Sequence, residues 1–389
     1  MRVDVLVLGG GAAGLWCLDR FRRAGYHAIL LEATALGSGQ TIQAQGIIHG
    51  GGKYALRRVR DFSAVRATSL MPERWRRALA GEDEPNLAGT QVLSARCHLW
   101  LPRGSTLAWL QSWGLMSVIA KAGLLATRPE KLPAAEWPEA LGGSALAVYS
   151  LAEPVISTGS LLETLAAHHH RSIFLYDAAV MRFLTEGVLV GETLLQPRAI
   201  VLAAGAGNGE LLCRAGLEAD LMQRRPLGMV LLRGPFPPLF GHCVAGGKTG
   251  LTITSPAAGL WQVGGEIAER LAHVEMPQLA RKIALAQIRR WLPNLDLTRS
   301  EIATYRAVRA EGRTAALRRP SGVHASRVGP GMVVAWPTKL SMAPVLADEV
   351  FELVGLDLKG PAGYSEVPPW PSPDVARYPW EEVEWFPAH

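Results

Sequence analysis

The stretch from Val3 to Glu32 constrains this chain more than any other. An apolar run of strand type, Val3 to Leu8, meets Gly9, Gly11 and Gly14 in G-x-G-x-x-G spacing. A helical pattern follows, then a second apolar run ending in Glu32. Strand, glycine turn, helix and strand in that order predict a βαβ dinucleotide-binding unit. Gly9 makes the tight turn, Gly11 lets the backbone approach a pyrophosphate, and Gly14 lets helix and strand pack closely. Ala12 and Ala13 open the helix, whose free N–H groups and dipole favour a diphosphate. Glu32, 18 residues beyond Gly14, stands near the spacing of a carboxylate that accepts from ribose hydroxyls. In a chain with 41 glycines the spacing alone would say little; the order of the elements carries the reading.

A chain of 389 residues leaves room for about two domains, or one elaborated α/β domain. Lys plus Arg outnumber Asp plus Glu by 40 to 34. They are scattered, which allows a mild attraction to anionic ligands or lipid head groups and argues for no nucleic-acid partner. Cys17, Cys97, Cys213 and Cys243 are far apart, without C-x-x-C spacing, and read as reduced thiols of a cytoplasmic protein. No apolar run reaches the roughly 18 residues needed to span a bilayer, so a soluble chain is expected, with peripheral membrane contact allowed. His168 to His170 end a predicted helix, where adjacent side chains diverge, so no metal site is expected.

Beyond Glu32, residues 33 to 56 are rich in Gly, Ser, Thr and Gln. Such a stretch has too few large side chains for a core, but its bare backbone suits contact with a bulky ligand, as a loop plus a short helix. Here the chain resembles the flavoproteins of the D-amino-acid oxidase and glycine oxidase superfamily. In these a βαβ unit ending in Glu is followed by a segment of the type G-x-S-x-x-x-x-G-x-I-H, matched here by Gly39, Thr41, Gly46, Ile48 and His49. Ile48 to Tyr54 is also similar to a stretch of flavin-dependent glycerol-3-phosphate dehydrogenases, with Lys53 where they have Arg.

The resemblance implies an α/β fold: a discontinuous, Rossmann-like FAD-binding domain of glutathione-reductase type, beside an α+β substrate domain with an antiparallel sheet. It implies FAD as cofactor. Ala33 and Ser38 to Thr41 (Ser38, Gly39, Gln40, Thr41) would touch the adenosine, pyrophosphate and ribityl portions, and Gln45, Gly46, Ile47 and Ile48 the isoalloxazine. Tyr176 to Phe183 resembles a strand meeting the adenine at Val180. Ala199 to Asn208 resembles the second glycine-bearing strand, with Ala204 and Gly205 at the phosphates. Near the C-terminus, Met332 to Ala335 reads as a strand, Trp336 to Ser341 as a turn and Val345 to Leu353 as a helix that tolerates Pro344 in its first turn. Lys339, Leu340 and Ser341 would meet the flavin pyrimidine ring, where the family commonly has glycines in place of Trp336 to Lys339.

The remaining segments read as a basic amphipathic helix over 57–75, strands from Leu87 to Trp100, and a helix N-capped at Thr158 or Ser160. Strands at Arg225–Arg233, Cys243–Thr254 and Leu260–Gly265 precede a helix over Met276–Leu292. The expected domains are 1–75, 150–215 and 301–356 for FAD, 76–149 and 216–300 for substrate, and a Pro- and Trp-rich tail over 357–389 that wraps the surface. The activity implied is oxidation of a C–N bond of a small amine or amino acid by hydride transfer to flavin N5, with O2 or a quinone as acceptor. Arg309 would hold the substrate carboxylate, with Arg306 in reserve, and His49 and Lys339 would stand near the ring. Two alternatives stay open: a dehydrogenase of 2-hydroxy acids or of glycerol-3-phosphate type, and a non-catalytic flavin-binding assembly protein.

Overall fold

The computed structural model describes residues 1–50, 69–103, 129–245, 248–315, 320, 322–355, 358, 360 and 369–388. The N-terminal pattern folds as β1 (Arg2–Leu8), α1 (Ala12–Arg23) and β2 (Ala28–Glu32). β1 pairs in parallel with β2 and with Thr193–Leu202. The sheet runs His324–Gly329, Met332–Trp336, Thr193–Leu202, β1, β2 and Ile173–Leu175, parallel throughout except at the first pair. A hairpin, Met181–Leu184 and Gly187–Val190, extends from Thr193–Leu202.

Alternation between two buried faces explains why Val5 to Leu8 of β1 are all apolar. Val5 and Val7 pack under α1, the helix Thr158–His168 and the helix Ala343–Gly355. Leu6 and Leu8 face the opposite core, with Leu211, Leu212 and Trp336. The helix Met71–Leu79 also joins the first core: the Trp75 and Trp16 rings lie 4.8 Å apart, and Trp75 Nε1 donates to the Ser341 carbonyl at 2.9 Å. The cofactor-side core therefore runs past the expected boundary at residue 75. Most of the helix expected over 57–75 lies outside the described residues.

A second sheet has nine strands: Phe386–Pro387, Glu301–Gly312, Met222–Arg233, Leu260–Gly264, Lys248–Ala257, Gly241–Ala245, Cys97–Pro102, Ala145–Leu151 and Glu130–Lys131. Among the described residues, only its pairing of Gly241–Ala245 with Cys97–Pro102 is parallel. The helices Glu266–Leu271 and Pro277–Trp291 cover one face, around Val230, Trp261 and Ile288.

Several expectations are corrected. Glu301–Gly312 pairs along its whole length with Met222–Arg233, so the chain returns to the first sheet at His324 and not at 301. Ala145–Leu151 likewise belongs to the second sheet, across the expected boundary at 150. Alternation marks a strand in sequence, but its partner is a long-range choice. Here Arg225 donates to the buried Glu311 carboxylate at 2.8 and 2.7 Å, clamping the pair. The short helix expected after residue 33 is replaced, as far as residue 46, by turns, because Gly37, Gly39 and Gly46 all adopt positive φ. The expected strand Tyr176–Phe183 is interrupted by a 3-10 turn over Ala178–Val180, where the Asp177 side chain accepts from Ala179 N at 2.8 Å. The helix at 158 is capped by Ser157, whose Oγ accepts from Ser160 N.

The described part of the tail wraps both sheets. Pro371 O accepts from Leu175 N, Val375 bridges Leu36, and Phe386–Pro387 pairs with Glu301 and Ile302. Burial pushes the Cys17 thiol up to about 12 and raises Cys243 as well, so both stay protonated and unreactive. Among the described residues no helix is long and apolar enough to cross a membrane.

Candidate active site

The turns that follow β1, Thr193–Leu202 and Met332–Trp336 open onto one cavity of about 940 Å³, at the C-terminal ends of the parallel strands. This is where an open parallel sheet binds its ligand. The cavity is walled by Gly9 to Ala13, Glu32, Ala33, Ser38 to Thr41, Ala204 and Gly205. Gln45 to Ile47, His49, Met229, Thr252, Arg306, Arg309, Lys339 and Leu340 line it too.

The glycines divide by job. A Cβ on Gly9 would lie 2.5 Å from the Ala204 Cα, and one on Gly14 only 1.8 Å from the Gly9 carbonyl oxygen, so both are required by packing. Gly14 accordingly lies behind the cavity and not on its wall. A Cβ on Gly11 would meet only the Thr41 hydroxyl, at 3.1 Å, and Gly39 faces open space. These two leave bare backbone for a ligand. Ala12 N donates to Thr41 Oγ1 at 3.1 Å, which places that hydroxyl at the start of α1. Glu32 is buried and accepts from Gly10 N at 2.6 Å and Thr34 N at 3.0 Å, so its carboxylate is oriented beside the glycine turn.

Most of the expected residues meet here, with three further exceptions. Ile48 is fully buried in the core, because the bridge of Ile47 to Val155 makes this segment locally strand-like. Alternation then turns Ile47 and His49 toward the cavity and Ile48 away. Val180 is 45% exposed and off the wall, whereas Tyr176 and Ala178 of the same segment line it. Ser341 is buried behind Leu340, its carbonyl taken by Trp75. Gln40 and Gln45 line the cavity while bonding to the second sheet: Gln40 Oε1 accepts from Ala310 N, and Gln45 Nε2 donates to the carbonyls of Thr252 and Gln262.

Along Glu301–Gly312 the two-residue period puts Tyr305, Ala307 and Arg309 on one face and Arg306 on the other. The first face carries the apolar patch Leu227, Met229, Ala268 and Ala307. Tyr305 accepts from Gln262 Nε2 at 2.7 Å, and burial raises its phenol. Arg309, half-buried, sits opposite Arg225 on the neighbouring strand. Lys339 is 7% exposed and starts the turn into Ala343–Gly355. Thr338 before it has φ +62°, a left-handed conformation that a branched residue adopts only under constraint. Its Oγ1 donates to Gly322 O at 2.7 Å, which holds the turn where glycine would suffer no strain.

Sequence reading missed four groups. Asn208 is fully buried: its Oδ1 accepts from Ala204 N at 2.7 Å and its Nδ2 donates to Ala335 O at 3.2 Å, locking two strand ends together. It ends the small-residue run AIVLAAGAGN, a usable signal. Trp336 Nε1 donates to Gly205 O at 2.9 Å. Glu153 and His242 stand behind His49, contributed by different segments with no local signature.

The comparisons agree with this geometry. The family model described as FAD dependent oxidoreductase matches residues 4–352. The chain is 36% identical over 98% of both chains to a probable FAD-dependent oxidoreductase, PA4991, of Pseudomonas aeruginosa. The crystal structure of PA4991 superposes with a TM-score of 0.82 at 32% identity over 98% of each chain. Glycine oxidase from Geobacillus kaustophilus shares the fold, with a TM-score of 0.64 at 16% identity over 97% and 99% of the two chains. The residues present fit the cofactor that this family carries: bare backbone at Gly11 and Gly39, the start of α1 at Ala12 with the Thr41 hydroxyl beside it, and an oriented acid at Glu32. The chain belongs to the DAO family of FAD-dependent oxidoreductases.

Proposed function

We propose that this enzyme oxidises the C–N bond of a small amino acid or amine that carries a carboxylate. The observation behind this reading is the position of Arg309. It shares a strand face with the apolar patch of Leu227, Met229 and Ala307, and it lines the same cavity as Lys339 and His49. A guanidinium beside a small apolar surface matches a substrate with one carboxylate and a short carbon skeleton. FAD, when bound, supplies the two-electron chemistry by accepting hydride at N5. The chain's own residues bind and orient the substrate: Arg309 takes the carboxylate, the patch takes the carbon chain, and the Gln262–Tyr305 bond closes the wall behind them.

An anaerobic screen of glycine, N-methylglycine, proline, carboxylate-free amines and 2-hydroxy acids, read by loss of flavin absorbance, tests this. Bleaching by amino acids, with an imine or ammonia as product, supports it. Bleaching by hydroxy acids alone would transfer the site to alcohol oxidation.

Lys339 is placed in this reading beside the pyrimidine edge of the flavin, where reduction adds negative charge. Lys339→Met is then expected to retain FAD but lower its midpoint potential, by about 30 mV for each 1.4 kcal/mol of lost stabilisation in a two-electron couple. An unchanged potential in a spectroelectrochemical titration would move Lys339 away from the ring.

A further inference from the structure

Behind the cavity wall lies a buried cluster of ionisable groups contributed by three separate segments. His49 follows the small-residue loop, Glu153 lies between Ala145–Leu151 and Val155–Ile156, and His242 lies on Gly241–Ala245. Their donor atoms all lie within 4.8 Å of one another. Glu153 is 1% exposed and His242 is fully buried, while His49 reaches the cavity. Glu153 Oε1 accepts from Gly50 N at 2.7 Å, and Oε2 stands 3.5 Å from His49 Nδ1. The His242 ring lies 5.2 Å from that of His49, and its Nδ1 meets Thr252 Oγ1 at 2.8 Å.

A carboxylate this deeply buried requires a compensating positive charge. A proton on the His49 imidazole, whose Nδ1 lies 3.5 Å from Glu153 Oε2, supplies such a charge. We infer that His49 is the proton acceptor for the substrate nitrogen, with Glu153 and His242 as positioning residues that hold its ring and stabilise it once protonated. This rests on the amine reading above. An amine reaches the site mainly as an ammonium ion, which cannot release hydride until its nitrogen has a lone pair. His49 takes one N–H proton through Nε2, and the bonding pair stays on nitrogen. The substrate C–H could then leave as hydride, with its two electrons, which bound FAD would accept, while the nitrogen lone pair forms C=N. The proton remains on the imidazole, opposite Glu153, until it is released to water.

The test is anaerobic stopped-flow reduction of the FAD-loaded enzyme by the amine that performs best in the screen, from pH 6.5 to about pH 10, where an alkylamine titrates by itself. Glu153→Gln, which can still accept from Gly50 N, is expected to slow reduction at pH 7 by about a hundredfold or more, the low end for a lost general base. The rate should recover to near wild type at about pH 10, because the substrate there arrives already neutral. His49→Gln, which leaves the Glu153–Gly50 bond in place, should show the same deficit and recovery, and so should the double variant, with no added loss. A deficit equal at every pH, or none, would overturn the assignment even with FAD content unchanged. Stoichiometric zinc in the purified holoenzyme would overturn it too, because the nitrogens would be metal ligands. If no amine bleaches the wild-type flavin, the amine reading itself falls first, and this result is distinct from the other two.

Discussion

Gly14→Ala is expected to give a chain that holds no FAD. The new methyl would lie 1.8 Å from the Gly9 carbonyl oxygen and 3.0 Å from its carbon. Both are backbone atoms at the end of β1, so no side chain can swing aside. The N-terminus of α1 has to lift from the strand, and the N–H groups that would face the diphosphate move with it. Overpacking of this kind costs about 3 kcal/mol or more, against about 1–3 kcal/mol where neighbours can shift. The informative control is Gly11→Ala. Its methyl meets only the Thr41 hydroxyl, a rotatable group, so the apoprotein should melt close to wild type while FAD affinity falls. Flavin content per chain, the thermal midpoint and FAD affinity by fluorescence quenching separate the two cases. Wild-type flavin content in Gly14→Ala would mean that α1 does not pack against β1 as described.

Arg309→Met is expected to raise KM for carboxylate-bearing substrates by about 10- to 100-fold, the range of a charge-assisted hydrogen bond worth roughly 1.5–3 kcal/mol. Turnover of carboxylate-free amines should change little. Arg309→Lys should not restore the loss, since an ammonium cannot reproduce the two-pronged contact of a guanidinium with a carboxylate. Arg306→Met should have a smaller effect, because Arg306 lies on the other face of the strand and donates to the Val274 carbonyl. Equal KM values in wild type and Arg309→Met would remove this residue from the substrate contact.

The stretch from Val3 to Glu32 determined the dinucleotide-binding unit by itself, because each of its signals acts over a few residues. An apolar run, a glycine without a Cβ at a close approach, and a terminal acid all mean the same wherever they occur. The runs Ala199–Leu202 and Met332–Ala335 were legible for the same reason, as strands buried on both faces. Tertiary structure decided what depends on a partner far along the chain. Glu301–Gly312 reads as a strand, but only its pairing with Met222–Arg233 and the Glu311–Arg225 clamp assign it to the second sheet. That Ile48 turns inward while His49 faces the cavity depends on the bridge to Val155, more than a hundred residues away. The His49, Glu153 and His242 cluster has no spacing that a sequence could display, because burial and charge balance act through space and not along the chain.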